Sequence, residues 1–175
     1  MAAPKQFPDL PVPRVRHAHP DEIPDLNQLA WQSKATWGYD ADFMAAAIPD
    51  LEVTADQVGA GHVFVIELRG ELLAFCTIEI DAQNPGSAEL VHCFVAPGHQ
   101  GQNLGRLLWN YSLRELQQRY PAVRRLTVVS DPNAVGFYER CGARRVGYTP
   151  SIVDPRRLLP RLAIEVPKSF FRPPE

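Results

Sequence analysis

Apolar and polar residues alternate along the chain in two different periods, which predict strands and helices in turn. Runs with a two-residue period or a continuous β-rich composition predict strands at residues 14–18, 62–68, 72–80, 88–95, 125–130 and 144–148, with a further one at 161–166. Apolar residues at helical spacing predict four helices, which span 21–33, 40–48, 104–119 and 131–143. The element order is therefore β-α-α-β-β-β-α-β-α-β, followed by the last strand.

This order predicts the fold class. The second and third strands are joined across Arg69 and Gly70, which is typical of a hairpin, whereas the later strands are separated by helices and need crossovers. We expect an α/β (α+β) domain with a central mixed, mostly antiparallel sheet flanked by helices. Prolines crowd both ends, so we assign residues 1–13 to an extended N-terminal segment, 14–167 to the domain and 168–175 to a tail.

Local signals refine two of the helices. In the third, Leu104, Leu107, Leu108 and Tyr111 follow the i, i+3, i+4, i+7 spacing of a buried stripe. The last has Asp131 at the N-cap and a proline directly after it, which is a helix-start signal.

Composition excludes several classes of protein. The 175 residues carry a formal net charge of −2, which is not the basic footprint of a nucleic-acid-binding domain. The three cysteines lie in apolar stretches without metal-binding spacing, and they read as reduced core thiols, so we expect no metal. Apolar runs are shorter than the roughly 20 residues of a membrane span, and the first residues lack a signal-peptide core. We expect a cytoplasmic protein without a membrane partner.

A glycine-rich loop precedes the third helix. Gly98, Gly101 and Gly105 fall between a strand and that helix, where backbone N–H groups and the helix dipole favour a phosphate group. A flexible connector that caps the helix is the alternative. The loop lacks the Lys-Ser/Thr pair of the P-loop in nucleoside triphosphatases, and it does not begin a βαβ unit, so these two phosphate-binding motifs are excluded. Another kind of nucleotide-binding α/β protein stays an alternative.

Two motifs resemble the GNAT superfamily of acyl-CoA-dependent N-acetyltransferases. Val95-Ala96-Pro97 followed by Gln100-Gly101-Gln102-Asn103-Leu104-Gly105 is similar to the family's pyrophosphate motif, with Asn103 where glycine is usual. Asparagine tolerates left-handed backbone geometry, so the loop can keep its shape. The segment 133–143, NAVGFYERCGA, resembles the second motif, with Ala143 in place of an aromatic residue. The resemblance extends over residues 14 to 166.

The resemblance implies acetyl-CoA as co-substrate and names residues for its site. The backbone groups of Cys93 and Val95 would meet the thioester and the pantetheine arm, and the loop and Asn133 would hold the rest of the molecule. The implied cofactor-binding residues are Cys93, Val95, Gln100, Gly101, Gln102, Asn103, Gly105, Arg106, Asn133 and Tyr138.

Acyl transfer to an amine needs a base for the ammonium and an acid for the leaving thiolate. Glu89 aligns with a glutamate base of some family members, and strand alternation predicts it on one face with Val91, Cys93 and Val95, from where it would act through water. His92 on the opposite face and Glu79 are rival bases.

Tyr138 matches the family's tyrosine acid, with core packing as its alternative role. Cys93 is a weaker candidate for a covalent nucleophile, because no histidine partner is evident on its face.

The acceptor site is predicted between the first two helices. Ser33, Lys34, Trp37 and Tyr39 cluster there, and Lys34 suits an anionic acceptor group, although such aromatic clusters are also common in cores. We expect direct transfer of an acetyl group to the primary amine of a small molecule in a ternary complex. A protein or peptide acceptor, an acyl-CoA-binding module without catalysis, and a homodimer stay open.

Overall fold

A computed structural model describes residues 12–168, which form a seven-stranded mixed sheet with helices on both faces. The strands run in the order β1-β2-β3-β4-β5-β7-β6, and every neighbouring pair is antiparallel except β4 and β5. This is the mixed, mostly antiparallel α/β sheet that the sequence predicts. The strands are β1 (Arg14–His17), β2 (Val63–Leu68), β3 (Glu71–Ile80), β4 (Ser87–Val95), β5 (Arg125–Val129), β6 (Arg144–Pro150) and β7 (Leu158–Glu165).

Six α-helices and three short 3₁₀ segments connect the strands. The 3₁₀ segments cover Pro20–Glu22, Pro97–His99 and Pro132–Ala134. The helices are α1 (Ile23–Ala35), α2 (Ala41–Ala46), α3 (Ile48–Leu51), α4 (Ala55–Gly59), α5 (Leu104–Arg119) and α6 (Val135–Arg140).

The hairpin between β2 and β3 turns on Arg69 and Gly70, as predicted. Both residues have positive φ, +54° and +83°, which is the geometry of a two-residue turn that matches the twist of the flanking strands. The crossover from β4 to β5 passes through α5, which is why these two strands are parallel.

The sheet buries a separate apolar cluster on each face. The larger cluster lies between the sheet and helices α5 and α6, and includes Leu90, Leu108 and Trp109. The smaller cluster lies under α1, α3 and α4, and includes Leu26 and Phe75. Burial on both faces explains why β2 and β3 are continuous apolar runs instead of alternating ones.

One local prediction is wrong, and one helix was not predicted. The expected stripe on α5 included Leu107, but its exposed fraction is 41%, whereas Trp109 is buried in its place, because α5 packs against α6 as well as against the sheet. Helix α4 was not predicted, although it starts with a capping box: the side chain of Thr54 accepts from the Gln57 amide and that of Gln57 accepts from the Thr54 amide.

The predicted domain limits remain a prediction. Residues 1–11 of the expected N-terminal segment lie outside the described residues, and so does the expected tail apart from Lys168.

Candidate active site

A cleft opens in the sheet where β4 and β5 separate. The two strands pair only from Ser87 to Glu89 on β4 with residues 125–127 on β5, and beyond Glu89 they diverge. A cavity of about 490 Å³ occupies the cleft. Cys93 and Val95 of the free part of β4 line one side, and Ser33 and Trp37 at the end of α1 line another. The cavity therefore has walls from both layers of helices.

The glycine-rich loop forms the floor of this cavity at the start of α5. Asn103 is the N-cap residue, in left-handed geometry with φ of +62°, and its side chain does not cap the helix. The first backbone hydrogen bond of α5 runs from the Leu107 amide to the Asn103 carbonyl, 3.0 Å, so the amides of the first turn have no partner within the helix. This arrangement suits an anionic group at the helix start.

Gly101 and Gly105 serve the loop in different ways. Gly101 has φ of +79°, and a Cβ there would meet no atom within 4 Å, so its backbone lies in open space in a geometry that favours glycine. A Cβ on Gly105 would lie 3.1 Å from Cζ of Phe137, so this glycine lets α5 approach α6 closely. Both glycines were predicted to belong to a phosphate-binding loop. Of the two, only Gly101 has the open surroundings that such a loop needs.

The charge of the cavity walls fits a polyphosphate. Arg106 and Arg140 both line it, and Arg106 donates to the carbonyl of Arg140, 3.1 Å. His99 also lines it, whereas none of its described lining residues is acidic. Arg140 lies within the second motif but was not predicted as a site residue, because it reaches the loop only through the packing of α6 on α5.

Most of the predicted cofactor-binding residues lie around this one cavity. Gln100 lines it and its side chain also reaches Thr36 Oγ1, 3.4 Å, which ties the loop to the end of α1. Gln102 is the exception: its side chain is exposed and points back to the Gly98 carbonyl, 3.4 Å. The predicted cofactor-binding residues that line the cavity are Cys93, Val95, Gln100, Gly101, Asn103, Gly105, Arg106, Asn133 and Tyr138.

Tyr138 and Cys93 meet on the side of β4 that faces α5 and α6. Burial raises the pKa of Tyr138 well above its usual range, and the adjacent Cys93 thiol adds to this effect. Burial also raises the pKa of the Cys93 thiol. Both groups therefore stay protonated at neutral pH, which suits a proton donor at Tyr138 and opposes a thiolate nucleophile at Cys93.

Glu89 does not share a face with Cys93, contrary to the alternation that the sequence suggested. Thr77 of β3 is opposite His92 and Ile78 is opposite Leu90, so Val91 is an extra residue that forms a β-bulge. The bulge shifts the alternation by one residue. Glu89 therefore shares a face with His92, on the α1 side of the sheet, whereas Leu90 and Cys93 both face α5.

The surroundings of Glu89 suit a group that gains and loses a proton. Its side chain is half-buried at the apex of the cleft and lines a small neighbouring pocket of about 150 Å³ together with Glu79 and Arg161. Burial raises the pKa of Glu89, the positive charge of Arg161 opposes this, and the carboxylates of Glu79 and Asp81 add to the increase. Glu79 itself accepts from the side chain of Gln57, 2.5 Å.

His92 is held in the core instead of in the cavity. It is 3% exposed, and its Nε2–H donates to the Asp50 carbonyl, 3.2 Å, while Nδ1 lies 3.0 Å from the hydroxyl of Thr77. Burial lowers the pKa of His92. A neutral imidazole with both nitrogens occupied favours a structural role, and the cavity does not include it.

The predicted acceptor residues divide into two groups. Ser33 and Trp37 line the cavity. Lys34 and Tyr39 instead join a polar cluster with Asp131, to which the Tyr39 hydroxyl donates at 2.6 Å, and Arg157 of the loop between β6 and β7 completes it. Because Asp131 also accepts from the Asn133 amide, 3.0 Å, it caps its 3₁₀ segment as predicted.

The described residues 12–168 contain no helix that is long and apolar enough to span a membrane. Within the same range, no group of three or more His, Cys, Asp or Glu side chains is arranged to hold a metal ion.

Comparison with known families identifies the family to which the fold belongs. Residues 23–143 match the family model described as acetyltransferase (GNAT) family, which covers most of the chain. The chain belongs to this family. Membership in the GNAT acetyltransferase family implies an acyl-CoA-dependent transferase. Comparison with curated protein sequences gives no match.

Solved structures of GNAT proteins share the fold at low sequence identity. The ribosomal-protein-S18-alanine N-acetyltransferase of Escherichia coli is 17% identical, with a TM-score of 0.62 over 89% of this chain and 94% of that chain. The PaiA N-acetyltransferase of Thermoplasma acidophilum, in complex with coenzyme A, is 15% identical, with a TM-score of 0.68 over 86% and 98%. The N-acetylglutamate synthase of Neisseria gonorrhoeae, complexed with coenzyme A and N-acetyl-glutamate, is 16% identical, with a TM-score of 0.60 over 89% and 35%.

Proposed function

We propose that this GNAT protein transfers an acetyl group from acetyl-CoA to the primary amine of a small molecule, by direct transfer in a ternary complex. The observation that carries the proposal is the cavity through the cleft between β4 and β5, which has a basic, glycine-rich floor at one end and walls from α1 at the other. Acetyl-CoA is a substrate here, and its thioester is the acetyl donor.

The residues of the cavity fit that substrate. The free amides of the first turn of α5 and the side chains of Arg106 and Arg140 would hold the phosphates. The cavity-lining part of β4, with Cys93 and Val95, would lie along the pantetheine arm. The complex of the Thermoplasma acidophilum protein with coenzyme A, on the same fold, supports an acyl-CoA as the ligand.

Proton transfer is divided between the two faces of β4. The amine must lose a proton before it attacks the thioester carbon, and Glu89 on the α1 side, with its raised pKa, is our candidate for accepting that proton through water. The amide bond forms as the carbon–sulfur bond breaks, and Tyr138 on the α5 side, protonated at neutral pH, is our candidate for protonating the sulfur. Because of the bulge at Val91, Glu89 and Tyr138 lie on opposite faces of β4 and would approach the thioester from opposite sides.

A small acceptor is favoured over a folded protein. The hydrogen bond between Tyr39 and Asp131 joins the segment after α1 to the segment before α6, and residues of both segments line the cavity. This hydrogen bond connects two walls of the cavity and therefore narrows the opening through which an acceptor would enter between them. The named relatives act on a ribosomal protein in one case and produce N-acetyl-glutamate in another, so both acceptor classes occur among proteins of this fold.

Calorimetric titration with acetyl-CoA, ATP and NAD, followed by an assay of thiol release with a panel of amines, tests the proposal. We expect acetyl-CoA to bind, whereas ATP and NAD do not, and we expect release of the thiol to require an added amine. Binding without release would identify an acyl-CoA-binding module, and binding of ATP or NAD in preference to acetyl-CoA would contradict the proposal.

A further inference from the structure

Five side chains beside the α1 end of the cavity, none of which is among its lining residues, form a half-buried cluster that contains more positive than negative charge. We call it the Lys34–Arg157 cluster, and its members are Lys34, Tyr39, Phe43, Asp131 and Arg157. The exposed fractions of the charged side chains are 17% for Lys34, 14% for Asp131 and 25% for Arg157. Two cations therefore share one carboxylate in a place where water screens their charges only in part.

The geometry shows that the single carboxylate is already in use. Arg157 Nη2 donates to the Tyr39 hydroxyl, 2.6 Å, and that hydroxyl donates to Asp131 Oδ2, 2.6 Å. The same oxygen lies 3.5 Å from Lys34 Nζ and 3.8 Å from Arg157 Nη2. The distances to the two cations are long for charge-assisted hydrogen bonds, so neither cation is fully satisfied by Asp131.

Two aromatic rings hold the cations in place. Tyr39 and Phe43 stack with their centroids 4.3 Å apart. Lys34 Nζ lies 5.3 Å and 5.7 Å from the two centroids, and Arg157 Cζ lies 5.0 Å and 5.1 Å from them. Cation–π attraction offsets part of the repulsion between the two cations without neutralising either of them. The cluster is therefore an ordered site that keeps a surplus of one positive charge.

The next acidic residue in the loop does not cancel that surplus. The Asp154 carboxylate, which also interacts with the charge of Arg157, is bound by Arg156 through Nε–Oδ1 and Nη2–Oδ2 contacts of 3.0 Å and 3.2 Å. The positive charge of Arg156 compensates the negative charge of Asp154, so this ion pair leaves the net charge of the cluster unchanged.

We infer that the Lys34–Arg157 cluster binds a carboxylate group of the acceptor, so that the substrate is an amino acid or another small amine with a carboxylate. The inference rests on the proposed function. Lys34 directly follows Ser33, and Asp131 lies two residues before Asn133, and both of these neighbours line the cavity. A molecule with its carboxylate at the cluster can therefore extend its amine into the cavity. A surplus of one charge matches a monoanion better than a phosphate dianion.

Matched acid and amide pairs test the inference on the wild-type protein. Glycine, β-alanine, 4-aminobutyrate and a set of L-amino acids are compared with the corresponding amides and with phosphoethanolamine. Each kcat/KM is calculated on the concentration of unprotonated amine, because the amides have a lower amine pKa. We expect at least one acid to exceed its amide by about 10- to 100-fold, as for loss of a charge-assisted hydrogen bond. Amides that equal or exceed every acid would overturn the inference, and so would a preference for phosphoethanolamine.

Variants assign the preference to the cluster. Lys34→Met and Arg157→Gln should raise KM for the preferred acid by about the same factor, leave KM for the amide unchanged, and leave the affinity for acetyl-CoA unchanged. Lys34→Arg should restore the preference. Arg114→Gln is the control, since it removes an exposed positive charge from α5, on the opposite face of the sheet from α1. Equal loss toward acid and amide would indicate a purely structural cluster and would contradict the inference.

The outcomes separate the two proposals. If acetyl-CoA binds and amides release the thiol while acids do not, the proposed function stands and the carboxylate site is wrong. If acetyl-CoA does not bind to the wild-type protein, the proposed function itself fails.

Discussion

Tyr138 is the residue whose proposed role depends most directly on its surroundings. Its hydroxyl is buried beside Cys93 with a raised pKa, so it carries a proton at neutral pH. We expect Tyr138→Phe to lower kcat on the order of 10²-fold, because the thiolate must then leave unprotonated, with little change in acetyl-CoA affinity. Thiol release and calorimetry measure the two quantities. Equal turnover in variant and wild type would return Tyr138 to a packing role against Trp109.

Glu89 is the corresponding residue for the amine proton. Its pKa is raised by burial, so the fraction of ionised Glu89, and with it the wild-type kcat/KM, should increase with pH above the usual range of a glutamate. We expect Glu89→Gln to lower kcat/KM at pH 7, and the loss should shrink as the pH rises toward 9.5 and free amine becomes abundant. Glu79→Gln tests the rival base: a pH-dependent loss in that variant, together with no pH dependence of the loss in Glu89→Gln, would transfer the role to Glu79. If the ratio of kcat/KM between the wild type and Glu89→Gln does not change with pH, Glu89 is not the base.

At the scale of elements, the two glycines near the start of α5 have different proposed roles, Gly101 in acetyl-CoA binding and Gly105 in packing. We expect Gly101→Val to weaken acetyl-CoA binding, because valine disfavours φ of +79° and the loop would change shape. Gly105→Val should instead lower the melting temperature, since its Cβ would crowd Phe137 and overpacking costs about 1–3 kcal/mol. Asn103→Gly should keep both properties, as glycine adopts the same left-handed geometry. A Gly105→Val protein with unchanged stability would contradict the close packing of α5 on α6.

Elements also show what the sequence can and cannot predict. The Arg69–Gly70 hairpin and the cap at Asp131 were predicted because both depend on residues adjacent in sequence. The bulge at Val91 was missed, and with it the face of Glu89, because a bulge depends on the partner strand and leaves no local pattern. Arg140 and Arg157 were missed for a related reason: their neighbours come from distant parts of the chain.

At the scale of the whole molecule, stability should depend on pH through the buried His92 and the partly buried His62. Burial lowers the pKa of His92, and burial followed by the charge of Arg119 lowers that of His62, in each case below the ordinary 6.5. The unfolded chain therefore binds more protons than the folded one once the pH falls below about 6.5. The stabilising contribution is present above this value and is lost as the pH decreases. The raised pKa of Glu89 acts in the opposite direction.

A comparison of variants isolates the contribution of His92. We expect the free energy of unfolding of the wild-type protein, from urea denaturation between pH 7.5 and 5.5, to decrease with falling pH by at most about 1.4 kcal/mol per pH unit for each histidine. His92→Gln should be less stable at pH 7.5, because the contacts with Asp50 and Thr77 are altered, and its stability should depend less on pH. The difference between the two curves cancels Glu89, which is common to both. His99→Gln, which removes an imidazole that is only partly buried, is the control. Parallel curves for wild type and His92→Gln would show that His92 takes up its proton equally in the folded and unfolded states, and its core position would then not restrict its charge.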